Sequence, residues 1–174
     1  SAYVHAAGTN HDDLIKAVRM KTDAGFKAVR IQTMLRPGSV YGEGNKKSDA
    51  QAKAVAEVTV PASIEKGQPL LIQHALPSVG EWEPRPYLNA VPKMFAAVRE
   101  AVGDELELLH DVHHRLSPIE AALLAKEIEQ YFPFFYEDPV APEYKEGLEL
   151  IRKHAAVPIA IGEGFFDIAE FTIS

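Results

Sequence analysis

Leu106-Glu107-Leu108-Leu109-His110-Asp111, then Ser117-Pro118-Ile119-Glu120, then Phe134-Phe135-Tyr136-Glu137 are the pieces of sequence that decide the fold. The first and last are short apolar runs of strand length, each ending in a carboxylate. The middle piece opens a helix with three signals together: a serine cap, proline at the first helical position, and a glutamate placed to reach back as a capping box. Strand, helix, strand is the unit of a parallel sheet with right-handed crossovers.

The same unit repeats in both directions. Downstream, a helix over 144–154 packs through Leu148 and Ile151, and Pro158-Ile159-Ala160-Ile161-Gly162-Glu163 is the next strand. Upstream, a helix over about 88–102 carries Val91, Met94, Phe95 and Val98 on one face and stops at Gly103. Residues 27–32 and 3–6 read as strands. Between them lies a helix capped by Asn10, with Asp13 three residues on, Leu14, Ala17 and Val18 facing inward, and Gly25 as its stop. The strands read as continuously apolar, as when both faces are covered. A doubly wound sheet and a (β/α)₈ barrel both fit this alternation, and the placement of polar residues separates them.

From 34 to about 87 the periodicity lapses, with Gly38, Gly42, Gly44, Gly67 and Gly80 and with Pro69, Pro77, Pro84 and Pro86. So long an irregular segment inside a domain is expected to be an active-site lid. Trp82 and Tyr87 either pack that segment or serve a core or subunit contact. Lys46 and Lys47 read as solvated, and the spacing of Gly38, Gly42 and Gly44 is not that of a dinucleotide fingerprint.

The 174 residues carry a formal charge of −7 and are 47% apolar, which suits one packed domain. That charge argues against nucleic acid as a partner. No apolar run approaches the length of a membrane span, and no N-terminal leader pattern is present. With no cysteine, disulfides and thiolate chemistry are excluded, and a cytoplasmic setting is expected. The chain starts Ser-Ala-Tyr without Met and stops inside an apparent helix, so a piece of a larger protein is expected.

Asp111, Glu137 and Glu163 stand at the ends of three successive strands, each 26 residues from the next. Any one of them is as easily a helix cap or a solvated acid. Three together at one barrel mouth would repel one another unless a cation neutralised them. Oxygen ligands favour a hard divalent ion, Mg²⁺ before Mn²⁺. His110, His113 and His114 crowd the same strand end. Strand alternation places His113 on the side of Asp111, as an acid or base beside the metal, with His110 and His114 on the other. Arg115 is a solvated charge or holds a carboxylate.

The run from Leu109-His110-Asp111-Val112-His113-His114-Arg115 through Leu116-Ser117-Pro118-Ile119-Glu120-Ala121-Ala122, with Tyr136-Glu137-Asp138-Pro139 and Ile161-Gly162-Glu163, resembles the mannonate dehydratase subgroup of the enolase superfamily. The resemblance covers residues 1–33 and about 87–174. It implies an α/β fold, a partial (β/α)-barrel with five of eight strands and a lid-like insertion at about 34–87. The capping domain and the rest of the barrel would lie outside this chain, which is then not expected to fold stably alone.

The resemblance also implies a set of roles. Asp111, Glu137 and Glu163 would bind Mg²⁺, with Mn²⁺ as the substitute, and Glu163 would also meet substrate. His113 would be the general acid, Arg30 with Tyr41 the base pair, and His5 a substrate-binding group. Arg30 and Tyr41 lie 11 residues apart, where the family has twelve. Arg30-Ile31-Gln32 stands where related racemases carry Lys-x-Lys, so a lysine base is not expected.

The implied activity is Mg²⁺-dependent dehydration of a sugar acid, D-mannonate or D-gluconate, to a 2-keto-3-deoxy acid through an enediolate. An arginine beside the tyrosine would lower the phenol's pKa from about 10, which makes it usable as a base. A homo-oligomer acting on a small sugar acid is expected, with no nucleic-acid or membrane partner. The rival is a weak or inactive homologue with a binding or regulatory role. A metal-dependent hydrolase is less well supported, because no His-x-His pair ends an early strand.

Overall fold

The computed structural model describes residues 2–33, 84–141, 144–163 and Phe165. In chain order the elements are β1 (Val4–Gly8), α1 (His11–Asp23), β2 (Ala28–Thr33), α2 (Pro84–Val102), β3 (Glu107–Asp111), α3 (Pro118–Ile128), a 3₁₀ turn (Glu129–Tyr131), β4 (Phe135–Glu137), α4 (Lys145–His154) and β5 (Ile159–Ala160). Tyr41, Trp82 and the expected lid over 34–83 lie outside the described residues.

All four strand pairings are parallel, and the strands lie in the order β1-β2-β3-β4-β5. The order never reverses, whereas a doubly wound sheet turns back at a switch point. The helices agree with a single winding: α1 packs on α2, α2 on α3 and α3 on α4, as in the outer ring of a barrel.

Local chemistry explains the elements. Asn10 caps α1 by accepting from the Asp13 amide at 2.9 Å. Past the end of that helix Gly25 turns at φ +91°. Ser117 and Glu120 form the reciprocal capping box of α3: the Ser117 amide donates to Glu120 Oε2 at 2.9 Å and the Glu120 amide to Ser117 Oγ at 3.4 Å.

The core lies between the sheet and the helix layer. It takes Leu14 and Val18 from α1, Val29 and Ile31 from β2, Met94, Phe95 and Val98 from α2, and Tyr136 from β4. The alternate positions on β2 and β3 are mixed: Ala28 and Leu109 are apolar, but Arg30, Gln32 and Asp111 are buried on the same opposite face. Continuous apolarity was the wrong expectation there, because that face holds the polar constellation described below.

Two boundaries also differ from the sequence reading. Helix α2 begins at Pro84 instead of near residue 88, so the irregular stretch ends earlier than expected. Pro84 and Pro86 fall in its first turn, where backbone N–H groups lack helical partners anyway, so these prolines open the helix and do not mark a loop. Strand β5 spans only Ile159–Ala160. Its ladder is defined from one side: the Tyr136 amide donates to Pro158 O at 2.8 Å and the Asp138 amide to Ala160 O at 2.9 Å.

At the N-terminal end of the strands, Arg99 gathers several segments. It donates to the carbonyls of Leu106 (2.6 Å), Tyr131 (3.0 Å), Phe132 (3.1 Å) and Gly103 (3.2 Å). One guanidinium thus ties the end of α2, the start of β3 and the turn before β4.

At the other end, Gly8 lets β1 turn directly into α1. A methyl group on it would overlap the Leu14 backbone nitrogen and lie 2.7 Å from Leu14 Cα and 2.8 Å from the Asn10 carbonyl oxygen. Neither neighbour is a flexible side chain. Gly8→Ala is therefore expected to lower the unfolding free energy by at least about 2 kcal/mol, read as a shift of the urea midpoint at unchanged slope.

Candidate functional site

Parallel register brings the polar residues together. His5 pairs with Arg30 across β1 and β2, and Asp111 with Glu137 across β3 and β4. Arg30 reaches along the sheet and links all of these. Its Nη1 donates to Asp111 Oδ2 at 2.9 Å and lies 3.7 Å from Glu137 Oε2, while its Nη2 donates to His5 Nδ1 at 3.0 Å. Since a guanidinium only donates, His5 Nδ1 is the acceptor and its proton sits on Nε2. Gln32 fixes the backbone beneath by donating to the Asp111 carbonyl at 3.0 Å.

Beyond β3 the chain makes a turn that strand alternation does not describe. His113 and His114 both take left-handed backbone, at φ 57° and 59°. His113 still reaches the Asp111 side: its Nδ1 is 3.8 Å from Asp111 Oδ2 and 3.7 Å from Glu163 Oε2. Glu163 sits in the turn after β5 and is exposed. One ligand atom each from Asp111, His113 and Glu163 falls within a mutual distance of 4.8 Å.

The electrostatics show what this arrangement lacks. Burial pushes the Asp111 carboxyl up to about 6, with Arg30 pulling it down and Glu137 and Asp138 raising it further. Burial likewise raises Glu137, opposed by Arg30 and reinforced by Asp138 and Glu163. Burial lowers the His113 imidazole, with Glu163 pulling it back up, and burial and Arg30 together lower His5. One guanidinium faces several carboxylates. Asp111 Oδ1 and Glu137 Oε2 are buried and accept no hydrogen bond among the described residues. Buried carboxylate oxygens without donors, massed at a strand end, are what a hard cation satisfies, so the donor set fits a divalent ion with oxygen preference. Asp111, Glu137 and Glu163 carry the acceptor oxygens, and His113 borders the same space.

The sequence-predicted residues thus divide plainly. Asp111, His113 and Glu163 share one space, and Arg30 joins His5 and Glu137 to Asp111; of the three acids expected to hold a metal, Glu137 is not in the close group and His113 is. His110 points into the helix layer: its Nδ1 donates to the Ile31 carbonyl at 2.8 Å and its Nε2 accepts from the Tyr87 hydroxyl at 2.7 Å. Tyr87 is accordingly a core residue. Arg115 is half-buried; burial lowers its guanidinium and the charge of Asp111 opposes that.

Sequence reasoning missed three members. Tyr3 stacks on His5, centroids 5.8 Å apart, and its hydroxyl lies 3.5 Å from Glu137 Oε1. The signal was its place two residues before His5, on the same strand face. Gln32 stands in the same relation to Arg30. Asp138 is buried, follows Glu137 directly, and has a side-chain oxygen 3.4 Å from His114 Nε2.

Comparison with known proteins now bears on this geometry. Residues 13–173 match the family model described as enolase C-terminal domain-like. The chain belongs to that family, and its sheet and helices are part of the family's (β/α) barrel. It is 42% identical over 170 residues to the D-galactonate dehydratase family member RspA of Cellvibrio japonicus, covering 96% of this chain and 37% of that protein. It is 40% identical over 165 residues to a D-mannonate dehydratase of Caulobacter sp. strain K31, covering 94% and 36%. Among solved structures it superposes on an enolase from Pantoea ananatis with bound D-gluconate and Mg, at TM-score 0.71 and 30% identity, over 98% of this chain and 39% of that one. The chain therefore spans less than two-fifths of the length of these relatives.

His110 supplies a test of the local electrostatics. Its two partners fix a neutral tautomer, and burial lowers it to about 4, against about 6.5 in an unfolded chain. Between these values the unfolded state binds the proton more tightly, so this group's contribution is complete above about 6.5 and is lost as pH falls toward 4. His110→Phe is expected to flatten that part of the stability profile. The gap in unfolding free energy between the two proteins should shift by up to roughly 3 kcal/mol from pH 6.5 to pH 4, read by urea unfolding.

Proposed function

We propose that the protein dehydrates a sugar acid, D-mannonate or D-gluconate, to the corresponding 2-keto-3-deoxy acid, with Mg²⁺ as cofactor and Mn²⁺ as the alternative ion. The observation that carries this reading is the convergence of Asp111, His113 and Glu163 within 4.8 Å, with Arg30 against Asp111 and Glu137. The dehydratase names of the relatives agree with it. Asp111, Glu137 and Glu163 would hold the ion, which supplies positive charge opposite the substrate carboxylate and so favours loss of the neighbouring C2 proton.

This chain's own residues do the remaining work. Tyr41 would take the proton from C2, and the charge of Arg30 would favour its phenolate. The C3–O bond breaks as His113 hands a proton to the departing hydroxyl, which leaves as water. The enol that remains tautomerises to the 2-keto acid, so atoms and electrons balance. His113 already borders Asp111 and Glu163, the position a general acid needs if the substrate carboxylate faces the acids and C3 lies one bond beyond C2. Arg30 also holds His5, which then presents its Nε2–H to a substrate oxygen.

The test is 2-keto acid formation from a panel of aldonates, with the full-length protein. Chelation with EDTA is expected to abolish product, and added Mg²⁺ to restore it. Asp111→Asn should lower turnover by about a thousandfold or more. Undiminished product after chelation overturns the metal role. Tight Mn²⁺ binding with no product from any aldonate favours a binding or regulatory homologue.

A further inference from the structure

The strained turn after β3 carries a further inference. His113 and His114 are consecutive left-handed residues with full side chains, at φ 57° and 59°, and Asp138 opposite them lies at φ 42°. A side chain with a Cβ is strained in that region, so the surroundings must hold it. The holding groups described come from the last residue of β4 and the residue after it. The Val112 amide donates to Glu137 O at 2.9 Å and the His114 amide to Asp138 O at 2.8 Å, which carries the β3–β4 pairing past the strand ends. The Asp138 carboxylate, buried, lies 3.4 Å from His114 Nε2. The His113 and His114 rings stack, centroids 5.7 Å apart and 26° between planes. Asp138 is itself anchored, its amide donating to Ala160 O at 2.9 Å.

We propose that His114 and Asp138 are positioning residues: their contact locks the left-handed turn that carries the His113 imidazole to its place 3.8 Å from Asp111 and 3.7 Å from Glu163. An ordinary strand continuation would send the side chains after Asp111 alternately up and down. The left-handed pair breaks that alternation, so His113 reaches Asp111 and Glu163 while His114 turns to Asp138 beyond β4. Neither His114 nor Asp138 touches the reacting atoms. They act through His113, and this inference rests on the dehydratase reading only for the kinetic readout.

Four variants in the full-length protein test it: Asp138→Ala, Asp138→Asn, His114→Ala and His114→Gly. The two alanine variants are expected to lose about 10- to 100-fold in kcat, since a small misplacement of a reacting group costs that much. Their KM should stay within about threefold and their Mn²⁺ affinity, by titration calorimetry, should be unchanged, because the oxygen ligands stay in place. Asp138→Asn keeps an acceptor oxygen and should recover most of the rate. His114→Gly accepts positive φ without penalty and should exceed His114→Ala in kcat. A merely structural role would move stability in all four and leave no such order in kcat.

The independent readout is the His113 imidazole ¹⁵N shift in the protein without substrate, expected to change in Asp138→Ala and to stay near wild type in Asp138→Asn. Wild-type rates in both alanine variants, or an unmoved His113 resonance in Asp138→Ala, overturn the proposal. If wild type turns over no aldonate, the dehydratase reading fails, and the His113 resonance alone decides this one.

Discussion

The organising constraint is the burial of like charges side by side. Parallel pairing sets Asp111 opposite Glu137 at adjacent strand ends, and neither carboxylate can leave, because each is fixed by the ladder that makes the sheet. A buried carboxylate in register with a partly buried one is unfavourable unless positive charge stands between them. Arg30 provides the one cationic side chain seen in contact with both among the described residues. It does so at the expense of its own freedom, since it is also bound to His5. The acids at these strand ends thus stand around a shortage of positive charge.

Strain is concentrated in the same place. Of the four non-glycine residues described with positive φ, three are His113, His114 and Asp138, all at the strand ends that carry acids. Residues in this region persist only where their neighbours over-determine them. Here the neighbours are the backbone hydrogen bonds that extend β3–β4 beyond its formal end. The sheet supplies rigidity, and the turn spends some of it on aim.

Much of this was legible in the sequence, for identifiable reasons. The capping box at Ser117 and the cap at Asn10 are local chemistry, readable from side chains three residues apart, and both form as expected. The spacing of Asp111, Glu137 and Glu163 marked the site because a repeating βα unit converts equal intervals into neighbouring strand ends. What could not be read was geometry that no period encodes. His113 reaches the acids by left-handed backbone, so alternation gave the right side for the wrong reason. Prolines 84 and 86 looked like loop markers, because composition cannot tell a loop from the first turn of a helix. Asp138 and Tyr3 escaped notice because each sits beside a more conspicuous residue, Glu137 and His5. The face of β2 and β3 away from the helices mixes apolar Ala28 and Leu109 with Arg30, Gln32 and Asp111 where only apolar residues were expected.

The guanidinium of Arg99 sits far from all this chemistry, gathering the carbonyls of Gly103, Leu106, Tyr131 and Phe132 at the opposite pole of the strands. A sheet tied at one pole and charged at the other keeps the two sets of contacts on separate residues. Substitutions around the acids leave these four carbonyl bonds in place, and a tighter or looser tie at Arg99 leaves the acids where they stand.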